Sequence, residues 1–61
     1  MNRYIFPSDV VPGDLYKSWD NQIVIILSIK MIALDLVRIN FLQKNVIDHE
    51  YHDAANKLNI L

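Results

Sequence analysis

The densest group of proton-handling and metal-ligating side chains in the 61-residue chain is Asp48-His49-Glu50-Tyr51-His52-Asp53. Two imidazoles and a carboxylate form a set that zinc or nickel accepts. The helical metalloprotease pattern needs two residues between its Glu and its second His, and here Tyr51 stands alone between Glu50 and His52. Side chains alternate faces along a strand, so on a strand His49 and His52 project to opposite sides and share no ion. The expectation is a solvated strand without a metal, followed by a turn that Asp53 caps.

Other chemistries find less to work with. The chain has no cysteine, which removes disulfides and thiolate nucleophiles. Ser8, Ser18 and Ser28 lack the glycine-flanked elbow that exposes a nucleophilic hydroxyl. The carboxylates are scattered, so no acid–base pair for glycoside hydrolysis can be picked out. A single glycine, Gly13, cannot build a phosphate-cradling loop. The inventory predicts a protein that is not an enzyme and carries no cofactor.

Binding chemistry is the alternative. Six basic and seven acidic residues give a formal net charge of −1, and no basic run advertises a polyanion. Folding can still gather Lys17, Arg38 and Lys44 on one face, with Tyr16 and Trp19 as stacking platforms, which would make a nucleic-acid surface. Apolar excess points instead to protein. Hydrophobic residues are 52% of the chain, and a domain this short buries only about 60% of its unfolded surface. Some apolar side chains therefore stay outside and mark an interface. Tyr4, Ile5 and Phe6, ahead of Pro7, read as an apolar arm over residues 1–9, with Tyr16 and Trp19 as further contact aromatics. The partner is another protein or a second copy, engaged by the arm and an unpaired sheet edge.

The elements that would carry these residues are strands. Between Ile23 and Leu42 the polar residues scatter around a helical wheel, whereas Val37, Ile39 and Phe41 alternate with Arg38 and Asn40 at period two. Ile23 to Leu27 is a β-branched run typical of a buried strand. The same stretch is no membrane span, because Lys30, Asp35 and Arg38 each cost roughly 2.5–3.5 kcal/mol near a bilayer centre. Strands are expected over 14–17, 22–29, 35–42, 46–52 and 58–61. The Pro12-Gly13 turn, a loop at 18–22, a hairpin turn at Gln43-Lys44-Asn45 and one helical turn over Ala54 to Lys57 connect them. Lys30 to Leu34 has no turn residue: either the flanking strands run long and meet tightly, or part of it is helical.

This order resembles the Src-homology-3-like small barrel. "PGDLYK" at Pro12 to Lys17 is similar to the opening of many such barrels, "IVIILSI" at Ile23 to Ile29 to their second strand, "LVRINFL" at Leu36 to Leu42 to the third, and "NKLNIL" at Asn56 to Leu61 to the closing turn and strand. The resemblance covers residues 10–61 and implies an all-β, five-stranded barrel with one short helical turn near its C-terminus. Short reading frames of this pattern are common in tailed-phage genomes. It implies a phage-encoded interaction module, a virion component or a host-factor-binding adaptor, virion-associated or in the bacterial cytoplasm. The adjacent tryptophans and acidic loop of proline-rich-peptide binders are missing, so that function is not carried over.

Overall fold

Aliphatic residues recur at alternate positions through the centre of the chain, and in the computed structural model, which describes residues 3–61, these runs are strands. Strand β1 (Arg3–Ile5) leads through a 3-10 turn (Pro7–Asp9) to β2 (Leu15–Lys17). The strands β3 (Ile23–Ala33), β4 (Leu36–Gln43), β5 (Val46–Asp53) and β6 (Leu58–Ile60) follow. All six lie in one antiparallel sheet in the order β1-β6-β2-β3-β4-β5. The fold is mainly β, and no helix among the described residues is long and apolar enough to cross a membrane.

Three expectations need correction. There are six strands rather than five, because residues 3–5 pair with β6 (Arg3 with Ile60, Tyr4 with Asn59, Ile5 with Leu58). Of the apolar arm expected over residues 1–9, Arg3–Ile5 is thus an edge strand with Ile5 packed on the core, Pro7–Asp9 is a 3-10 turn, and residues 1–2 lie outside the described residues. Ala54 to Lys57 forms a tight turn and no helical turn. Asn56 N–H donates to the Asp53 carbonyl at 3.0 Å, and the Asp53 carboxylate accepts from Ala55 N–H at 2.8 Å. The segment from Lys30 onward is strand as far as Ala33 and turns at Leu34-Asp35, so the two long strands do meet tightly.

The inner face of the sheet holds the core. Val10, Tyr16, Val24, Ile26, Ile39, Phe41, Leu58 and Ile60 form one buried cluster. The alternation on β4 (Val37, Ile39, Phe41 inward) matches period two, as does Val24 and Ile26 on β3. Pairing between β3 and β4 shifts between Ile26 and Ser28 and again between Met31 and Ala33. Each shift leaves one extra residue on β3, and such bulges bend and twist a strand. That lets a six-stranded sheet curl over a small core.

Turn chemistry fixes the ends. Gly13 sits at φ 98, where an L side chain is strained, and its N–H donates to the Ile26 carbonyl at 2.8 Å. Lys44 and Asn45 take φ 50 and 65 in the two-residue β4–β5 turn, as such hairpins require. Beyond Ile26, which still bonds Asp14 at 2.9 Å, the chain leading into β2 leaves the side of β3. From Leu27 to Ala33, β3 pairs only with β4 among the described residues.

Candidate interaction surface

One sheet over one core leaves its other face to solvent, and that face is unusually apolar. Register places Leu15 opposite Ile25, Ile25 opposite Leu42, and Leu42 opposite Ile47. The Tyr16–Ile60 pairing adds Leu61 beside Leu15, and Leu61 N–H donates to the Leu15 carbonyl at 2.8 Å. Five aliphatic side chains thus form a stripe from Leu61, just past β6, across β2, β3, β4 and β5, about 19 Å long at one strand spacing per step. Leu15, Ile25 and Ile47 are exposed large hydrophobics, and Ile23 and Leu27 flank them on β3. Alternation explains the stripe: each of these residues neighbours an inward one, and no other element among the described residues covers it.

Polar rows border the stripe. On one side, Ser28, Asn40 and His49 stand opposite one another, with Asn40 Nδ2 donating to Ser28 Oγ at 2.9 Å. Beyond them, Lys30, Arg38 and Tyr51 share a row, and Arg38 Nε donates to Asn40 Oδ1 at 3.2 Å. On the other side, Lys17 faces Ile23, and the β4–β5 turn carries Lys44 near Asp20. Asp20 sits in the loop after β2. Ser18 Oγ donates to its carboxylate, and Gln22 N–H donates to it at 3.3 Å. The Ser18 bond holds this carboxyl below the usual aspartate range; desolvation opposes it, and the Gln22 bond and the Lys44 charge add smaller lowering effects.

The residues singled out from sequence divide. Trp19 is 83% exposed and Tyr4 65% exposed. Phe6 is partly exposed, with the Lys57 ammonium 5.0 Å from its ring centre. Ile5 is half-buried against the core, and Tyr16 is buried in it, so neither presents a contact side chain. Lys17 and Lys44 lie towards one end of the sheet. Arg38 is six residues along the chain from Lys44, about 20 Å in an extended strand, so the three do not form one basic patch. The stripe itself escaped the sequence reading, although its signal is present: Ile25 and Leu27 alternate with the core residues Val24 and Ile26.

The acidic–histidine run splits as its spacing implies. His49 points outward, edge-on to Tyr51, and His52 points inward, edge-on to Tyr16. Both the Tyr16 hydroxyl and Glu50 Oε2 lie 3.2 Å from His52 Nε2. One ring nitrogen holds one proton or one lone pair, so it serves one of these partners fully. Glu50 Oε1 is buried without a partner. Burial, and then the Glu50 charge, push the Tyr16 phenol far above the usual tyrosine range. Neither Ser18 nor Ser28 bonds this trio: Ser18 bonds Asp20 and the Gln22 carbonyl, and Ser28 bonds Asn40. Comparison of the chain with protein-family models, curated proteins and solved structures gives no match.

Proposed function

We propose that this chain is a non-enzymatic protein-interaction module that docks a protein partner on the outer face of its sheet. The observation that carries the reading is the Leu61–Leu15–Ile25–Leu42–Ile47 stripe. A continuous apolar row on a small domain is costly to leave in water and contributes affinity when covered. Tyr4 and Trp19 supply exposed aromatics of the kind that anchor interfaces. The meander β2–β3–β4–β5 with β6 returning to β2 supports a Src-homology-3-like barrel, with β1 as an added strand. The roles as a virion component or host-factor adaptor follow from that resemblance.

Nucleic acid is the weaker reading. An apolar row runs between the Lys17–Lys44 end and the Lys30–Arg38 pair, where a phosphate backbone would need continuous positive charge.

The test is affinity capture from a phage-infected bacterial lysate with the full chain and with Ile25→Glu and Leu42→Glu, each checked for folding by circular dichroism. The reading requires a protein captured by the native chain and lost by both folded variants. Retention on DNA or RNA that falls with salt and is unchanged by these variants would establish the nucleic-acid reading instead.

A further inference from the structure

A second docking site lies on the edge of β3, apart from the stripe. We propose that Leu27–Ala33 takes up an extended segment of a partner protein as an added strand. The segment is apolar where it stands beside Ile29 and Met31 and acidic between them, beside Lys30.

Three observations converge here. The first is the edge itself. Among the described residues, Leu27–Ala33 bonds only β4, so its opposite side offers unpaired donors and acceptors over seven residues. Exposed edges are ordinarily blunted by charge, proline or shortness. The β5 edge carries Asp48, Glu50 and Asp53, and β1 has only three residues. The β3 edge has no acid and no proline, and one lysine.

The second is the cleft beneath it. A cavity of about 290 Å³ is lined by Pro7, Val10, Ile29, Met31, Val37 and Ala54, with Ser8 at its wall. Ile29 and Met31 are the inward residues of this same edge, opposite Ile39 and Val37. An added strand continues the pleat, so its inward side chains fall on the cleft side. The space is roughly twice that of the ~150 Å³ apolar cavity that accepts benzene, enough for branched aliphatic side chains.

The third is charge. Lys30 stands directly opposite Arg38 on the outer face, and no carboxylate pairs with either among the described residues. An acidic residue on the other side of Lys30 relieves that like-charge neighbour. A second copy pairing through the same β3 edge cannot supply it. Antiparallel partners share a face, so Lys30 would meet Ser28, Lys30 or the bulged Ile32 of the other β3. The acidic β5 edge of another copy would pair head-to-tail, leaving a free β3 edge and a free β5 edge at the two ends and growing without closure, so the occupant is a strand from a different protein.

The experiment uses the full 15N-labelled chain and two blocked peptides, Ser-Val-Glu-Val-Ser and Ser-Val-Lys-Val-Ser, titrated to millimolar concentration by NMR. The glutamate peptide is expected to shift, saturably, the amides of Leu27–Ala33 and to slow their hydrogen exchange. The lysine peptide binds about fivefold or more weakly, the scale of exchanging an opposite-charge for a like-charge cross-strand pair. The surface variant Lys30→Glu reverses that order. Absence of shifts overturns the proposal, as do shifts centred on β5, β1 or the stripe, or equal binding of both peptides that Lys30→Glu leaves unchanged. Slow exchange at Leu27–Ala33 that appears with protein concentration and no peptide identifies a second copy as occupant and also overturns it. Ile25→Glu leaves peptide binding intact, so failure of the stripe reading and failure of this one are separable.

Discussion

Ile25 and Ile26 are chain neighbours of one residue type, and the assignment of inner and outer faces makes opposite demands on them. Ile26 is 0% exposed and Ile25 is 42% exposed. Truncation to alanine removes the same three carbons from each and changes strand propensity equally, so any difference reports the face alone. At about 0.8 kcal/mol per carbon, Ile26→Ala loses about 2.4 kcal/mol of transfer free energy. The cavity left beside Ile39 and Phe41 raises the total to about 3–4 kcal/mol. A 61-residue domain holds on the order of 3–9 kcal/mol in all, so this variant sits near the limit of folding. Ile25→Ala forfeits only the covered part of the same transfer term, about 1.4 kcal/mol, and solvent fills the gap at no cavity cost. Urea unfolding followed by circular dichroism reads both values, provided the slope m is unchanged. Equal destabilisation would refute the reasoning, because it would mean that the outer stripe is already covered.

Three further outcomes are expected. The Tyr16 phenol, held protonated by burial and by Glu50, stays un-ionised in the folded protein at pH values where unfolded tyrosine ionises. The native state then keeps a proton that the unfolded state releases. Stability is therefore full below about pH 10 and falls above it by up to about 1.4 kcal/mol per pH unit; urea unfolding at alkaline pH should show this loss, smaller in Tyr16→Phe. Asp20 titrates below the usual aspartate range because Ser18 bonds its charged form. Its contribution to stability is present above the unfolded-state value and fades as pH falls through the folded one, and carboxyl NMR should show Ser18→Ala moving the midpoint upward. Replacing Lys44-Asn45 by Asn-Gly places residues that favour positive φ at both turn positions; thermal unfolding should show a gain of up to about 1 kcal/mol.

Period-two patterning carried much of this fold. Val37, Ile39 and Phe41 announced both β4 and its inward face, and Pro12-Gly13 marked a turn whose Gly13 does need positive φ. Arg3–Ile5 was harder to place: a three-residue strand has too few positions to show a period, and it pairs with residues nearly the whole chain away. The Ala54–Lys57 segment is ambiguous in sequence because an aspartate before Ala-Ala suits a helix cap and an Asx turn equally; in the fold the Asp53 carboxylate and carbonyl accept from Ala55 and Asn56 N–H and close the turn. The stripe depends on register between strands, which local sequence does not encode. Ile25, Leu42 and Ile47 are separated by 17 and 5 residues along the chain and meet only through pairing.

The strand order also sets an order of assembly. β3, β4 and β5 are consecutive and joined by two short turns, so their hairpins close over a few residues. Returning β6 to β2 pairs Tyr16 with Ile60 and closes a loop of about 44 residues, roughly three to four doublings beyond a hairpin loop, which at about 0.6 kcal/mol each adds about 2 kcal/mol of closure entropy; β1 can add only once β6 is in place. The meander therefore forms first, and β1 docks on β6 last and leaves first. Amide exchange should be fastest at β1 and slowest in the centre of β4. Ile25, Leu42 and Ile47 all belong to the early unit, so most of the proposed docking face exists before the chain has finished folding, and a partner of the kind proposed could act at that moment as a template for the rest.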